Sequence, residues 1–149
     1  MRDLHLEKLT VEECSEKIWN LHICVSRFYD EYAKSVGLTL AALKVLGFIA
    51  RRKSCTQKEI TQLTYLPKQT VNAIIKGFKE QELIQEPVEL DSDKRNKIIT
   101  FTKKGEEYAH RIISKAKEAE FRALDSMGEK RRTMLIEAME TYKNNLKIE

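Results

Sequence analysis

Along residues 7–36, Ile18, Leu21, Val25, Phe28 and Tyr32 recur at alternating steps of three and four. That spacing puts them on one face of a long amphipathic helix with a narrow apolar seam. Gly37 follows as a left-handed cap, and Thr39 can N-cap a second helix in which Leu43, Leu46 and Ile49 repeat at helical spacing. Arg51, Arg52 and Lys53 complement the dipole at its end. Next, Thr56-Gln57-Lys58-Glu59 has the T-x-x-E form of a capping box and predicts a short helix over 57–63. Pro67 stands where a first-turn proline is tolerated and predicts a further helix over 67–81.

The period then changes from helical to alternating. Residues 83–88 and 97–101 are short, apolar and rich in β-branched side chains, with the polar turn Leu90-Asp91-Ser92-Asp93-Lys94-Arg95-Asn96 between them. They predict a β-hairpin with a charged tip. Thr102 caps a long helix over 103–127, Gly128 breaks it, and a last helix covers 129–146. The predicted fold class is mainly α with a small β-hairpin. A winged helix-turn-helix over 39–102 is held between long terminal helices at 1–36 and 103–149, within one domain. Those terminal helices carry apolar faces that the centre cannot cover, so a second copy of the chain is expected to cover them.

Charge adds a location. Residues 51–104 hold 12 Lys or Arg against 7 Asp or Glu, whereas the rest of the chain holds 15 against 16. Residues 67–79 of the predicted helix include no acidic residue. With residues spaced 100° apart, Val71, Ile74, Ile75 and Phe78 face inward. Gln69, Ala73 and Lys76 face outward, flanked by Thr70 and Asn72, with Lys68 at the start. Amides suit adenine edges, lysine suits guanine or phosphate, and threonine suits the thymine methyl or a phosphate. At the hairpin, residues 94–104 hold five basic residues, including Lys94, Arg95 and Lys97, and no acid. Arg95 has the length and the planar charge to enter a narrow minor groove, with Asp93 beside it to brace the guanidinium or close the turn. Double-stranded DNA is the expected partner.

Asp91-Ser92-Asp93-Lys94-Arg95 followed by Phe101-Thr102-Lys103-Lys104-Gly105 resembles the D-x-D-x-R … L-T-x-x-G wing signature of MarR-family regulators. Leu38-Thr39-Leu40-Ala41-Ala42-Leu43-Lys44-Val45-Leu46 and Thr56-Gln57-Lys58-Glu59-Ile60 occupy the family's usual places upstream. The resemblance implies a dimeric transcriptional regulator, joined through its N- and C-terminal helices and bound to a pseudo-palindromic site. It gives Arg95 the minor-groove arginine position and Asp93 its partner. The chain departs from the family at Ala73, where a basic residue is frequent, and at Glu82 and Glu86, where glycine and then arginine are common.

The resemblance also implies a trigger, either a small anionic or aromatic effector or an oxidant. Trp19, His22 and Phe28 on the first helix, with Leu43 and Phe48 on the second, form the candidate effector pocket; plain core or dimer interface is the competing reading of the same stripe. Cys14 lies near the reactive cysteine of peroxide-sensing relatives, although the tyrosines that polarise that thiol are not evident. No metal or cofactor is expected: the three cysteines include no CxxC, and His5, His22 and His110 lack tight spacing. No G-x-S-x-G, phosphate loop or H-E-x-x-H is present, so an enzyme is not expected. The first seven residues lack a signal-peptide pattern and the longest apolar stretch is too short to span a bilayer, so a cytoplasmic protein is expected. A winged helix that binds protein instead of DNA, such as an anti-activator, is the alternative reading.

Overall fold

In the computed structural model, which describes residues 9–85 and 98–147, six helices and a two-stranded antiparallel sheet follow one another. The first helix, α1 (Val11–Ser35), starts later than its apolar periodicity predicts, because Thr10 and Glu13 form a capping box. The Thr10 amide donates to Glu13 Oε2 at 2.7 Å and the Glu13 amide to Thr10 Oγ1 at 3.2 Å. At its other end Gly37 takes φ +75°, and the amides of Gly37 and Leu38 donate to Lys34 and Ala33 at 3.1 and 2.9 Å. That is a Schellman closure with glycine in its left-handed position, as the sequence predicts.

Helix α2 (Leu40–Arg52) is capped by Thr39 and is the most deeply buried element, with Val45, Leu46 and Ile49 fully enclosed. Around it pack α3 (Gln57–Thr64), α4 (Lys68–Glu80), the first half of α5 (Lys103–Ser126) and the end of α1. Ile60, Val71, Ile75, Phe78, Leu83, Ile84, Ile99, Phe101, Ala109 and Ile112 complete the core. The inward side of α4 therefore carries Val71, Ile75 and Phe78 as expected, with Ile74 half-buried at its margin. Among the described residues no single helix is long and apolar enough to cross a membrane.

The sheet differs from the expected simple hairpin. Residues 54–56, which carry no strand signal beyond one small apolar side chain, form β1 (Ser54–Thr56). It pairs antiparallel with β2 (Ile98–Thr100), with Cys55 opposite Ile99. The stretch starting at residue 83 contributes an isolated bridge, Ile84 to Phe101, and the Gln85 amide donates to Thr100 at 3.0 Å. β2 is thus held from both sides, which buries Ile99 and Phe101 against the core. Residues 86–97, including the predicted hairpin tip, lie outside the described residues.

The stem continues with α5 and then α6 (Glu129–Asn145), with Gly128 at φ +75° between them. α6 buries none of its residues within the chain. Met134, Leu135, Ile136, Met139 and Tyr142 remain exposed on it, as do Ile18, Trp19, Leu21, Ile23, Val25 and Phe28 on α1.

Candidate nucleic-acid interface

The interface begins with the turn between α3 and α4. Thr56 and Glu59 form the predicted capping box at the start of α3, with the Thr56 amide 2.7 Å from Glu59 Oε2 and the Glu59 amide 3.2 Å from Thr56 Oγ1. Those bonds to backbone and hydroxyl hold the Glu59 carboxyl below its usual range. α3 ends on Tyr65 in the left-handed conformation, φ 55° and ψ 26°. The tight turn the sequence predicts without its customary glycine is therefore made by a tyrosine. Leu66 tucks part of its side chain against the core, and Pro67 stands at the N-cap of α4 instead of inside its first turn.

With Val71, Ile75 and Phe78 anchored, the opposite side of α4 must face out, and it does. Lys68, Gln69, Asn72, Ala73 and Lys76 are exposed and Thr70 is half-exposed. The chain thus gathers two amides, a hydroxyl and two ammonium groups on one side of a single helix. Pro67 supplies no side-chain cap, so the first amides of α4 are left for solvent or a ligand. Lys76 is 3.8 Å from Glu80 one turn on, with both side chains mostly exposed. Such a pair is weak in water and easily exchanged for another anion.

α4 closes with a second Schellman motif. The Glu82 amide donates to Lys79 and the Leu83 amide to Phe78, both at 2.8 Å, and Leu83 packs in the same buried cluster as Phe78. The position that needs a left-handed backbone is Glu82, at φ 59°. A left-handed backbone there favours glycine, and this chain places a glutamate in it. The Glu82 carboxylate takes the Lys104 ammonium at 3.1 Å, and the Glu82 carbonyl accepts from the Thr102 hydroxyl at 2.7 Å. Thr102 in turn caps α5 through the Gly105 amide at 3.0 Å. A Cβ at residue 105 would collide with the Leu83 carbonyl oxygen, so α5 leaves the sheet through a gap that only glycine fits.

Asp93, Lys94, Arg95 and Lys97 lie outside the described residues, so the structure places only the root of the wing. The five predicted pocket residues are spread out within the single chain. Trp19, His22 and Phe28 are exposed along α1, Leu43 is core, and Phe48 is half-buried with the Arg52 guanidinium 5.7 Å from its ring centre. Of these, Leu43 lines a cavity of about 360 Å3 between α1, α2 and α5, together with Tyr29, Lys44, Arg51, Lys117 and Glu120. There the Tyr29 hydroxyl donates to Glu120 Oε1. Burial first, then that bond and the carboxylate charge, push the Tyr29 phenol up to about 12. Cys14 is half-buried on α1. Cys55 is buried in β1, and burial, followed by the Glu59 charge, pushes its thiol up to about 11. Among the described residues no three His, Cys, Asp or Glu side chains are grouped to hold a metal ion.

This geometry agrees with comparisons to known proteins. A MarR family model matches residues 36–95, from the end of α1 through the predicted hairpin tip. A MarR family regulator from Neisseria meningitidis superposes with a TM-score of 0.74 at 26% identity, over 87% of this chain and 90% of that one. A MarR family regulator from Listeria monocytogenes, solved with a 26mer DNA, gives 0.70 at 21% identity over 87% and 86%. The Staphylococcus aureus MarR, solved with salicylate and kanamycin, gives 0.68 at 20% identity over 87% and 90%. Among curated proteins none matches the chain. The chain thus has the fold of the MarR family of transcriptional regulators. The match to the family model covers residues 36–95, and the likeness of fold to the Neisseria regulator extends over 87% of the chain.

Proposed function

We propose that the protein is a homodimeric, sequence-specific double-stranded DNA-binding transcriptional repressor that acts on a pseudo-palindromic operator. One observation carries the reading: α4 turns an acid-free surface of Lys68, Gln69, Thr70, Asn72 and Lys76 outward while its apolar side is locked into the core. A helix so fixed presents its N-terminal half to a major groove, with Lys68 and Lys76 serving phosphate or guanine and the amides serving base edges. The Listeria relative solved with DNA supports the same use of the fold. Asp93, Lys94, Arg95 and Lys97 serve the neighbouring minor groove. The uncovered faces of α1 and α6 join two copies, so that two heads address half-sites about 10 bp apart. A small anionic effector, seated beside Arg51 and Lys117 near Leu43, releases the operator.

The test is fluorescence anisotropy of the purified dimer on mixed-sequence duplex across a salt series. Binding that weakens steeply and linearly in log–log form is expected. Lys76→Ala should lower affinity on all sequences and reduce the salt slope by about 1. Absence of binding at low salt would reject the reading. It would favour instead a winged helix that binds protein, the reading motivated by Ala73, Glu82 and Glu86.

A further inference from the structure

Among the described residues Tyr65 is the most exposed large hydrophobic side chain on the head, with 92% of its surface open. No hydrogen bond or ring contact involves it among the described residues, and its backbone holds a left-handed conformation that asparagine or glycine adopts at less cost. Neither packing nor local backbone preference accounts for a tyrosine here. Its position does offer a use. It sits three residues before Lys68, at the edge of the surface that α4 turns outward, and Leu63 beside it is also half open. A side chain at that turn flanks whatever α4 enters. Where the occupant is duplex DNA, the neighbouring surface is a sugar–phosphate strand, which takes a ring against deoxyribose and a phenolic donor to phosphate oxygen.

We propose that Tyr65 is a DNA-backbone contact of the head, clamping the strand at the edge of the groove that α4 enters. This rests on the DNA-binding reading above and adds a residue to it. Phosphate contacts fix register without reading sequence, so Tyr65 sets affinity and placement and leaves base preference to α4.

The test pairs stability with binding in the full-length dimer, using mixed-sequence duplex as the probe. Tyr65→Gly relieves the left-handed backbone and should raise Tm by a few degrees. The same variant should lower DNA affinity roughly three- to tenfold. Tyr65→Phe should leave Tm unchanged and lose part of that affinity. Unaltered affinity in Tyr65→Gly, with wild type binding normally, overturns the assignment. So does a loss of affinity accompanied by a falling Tm, which would make the residue merely structural. If wild type itself fails to bind duplex, the DNA reading fails and this assignment fails with it.

Discussion

Among the described residues three non-glycine positions, Lys53, Tyr65 and Glu82, hold positive φ, and each ends a helix of the head. A left-handed backbone costs an L side chain about 1 kcal/mol relative to glycine. At Glu82 the conformation is imposed by the Schellman bonds to Lys79 and Phe78. Glu82→Gly should therefore be more stable than Glu82→Ala by about 1 kcal/mol in urea denaturation, since both lose the exposed ion pair to Lys104 and only one keeps the strain. Equal stability of the two would mean that the strain is relieved elsewhere. Tyr29 offers a second test, through pH. Its folded phenol titrates near 12 against an ordinary value of 10, so below pH 10 both folded and unfolded states are protonated and the full contribution is present. Between pH 10 and 12 the unfolded chain loses the proton first, and stability falls as pH rises. Tyr29→Phe should flatten the fall over that window in denaturation series; an unchanged slope would show that Tyr29 does not couple α1 to α5.

At the scale of elements, the sequence disclosed most where a single side chain does a local job. Gly37, Thr39, the Thr56–Glu59 box and Thr102 each mark a helix end by the hydrogen bond they can make, and all four ends are found there. The start of α1 was equally legible: Thr10-Val11-Glu12-Glu13 has the same box, yet the periodicity of the seam drew the expected start to residue 7. β1 was not legible, because Ser54-Cys55-Thr56 becomes a strand only through pairing with β2, and the pairing partner lies more than forty residues away. The left-handed tyrosine belongs to the same class. A turn that lacks glycine gives no local sign of which residue takes its conformation. The outward face of α4 was legible because its inward face was; alternation of Val71, Ile75 and Phe78 with polar residues leaves one solution.

At the scale of the whole molecule, the head satisfies itself and the stem does not. The head encloses most of its apolar residues around α2, while α6 buries nothing and α1 exposes seven large apolar side chains among the described residues. A surface of that kind is costly in water and argues for a second copy across it. Met139→Glu would place a charge in that contact and should weaken self-association by an order of magnitude or more, read by sedimentation equilibrium. The head's own core residues remain untouched by that change. A variant that stays dimeric at the wild-type concentration would exclude α6 from the interface.

The glycine at residue 105 bears on how such a molecule can move. Because the first turn of α5 lies directly against the Leu83 carbonyl, and Thr102 ties the same turn to Glu82, the stem cannot slide along its axis past the wing root. Residue 105 is therefore the point at which α5 bears on residue 83, next to the bridge between Ile84 and Phe101. Gly105→Ala, which replaces one hydrogen by a methyl group, would bring that carbon within 1.9 Å of the Leu83 carbonyl oxygen and force the first turn of α5 and residue 83 apart.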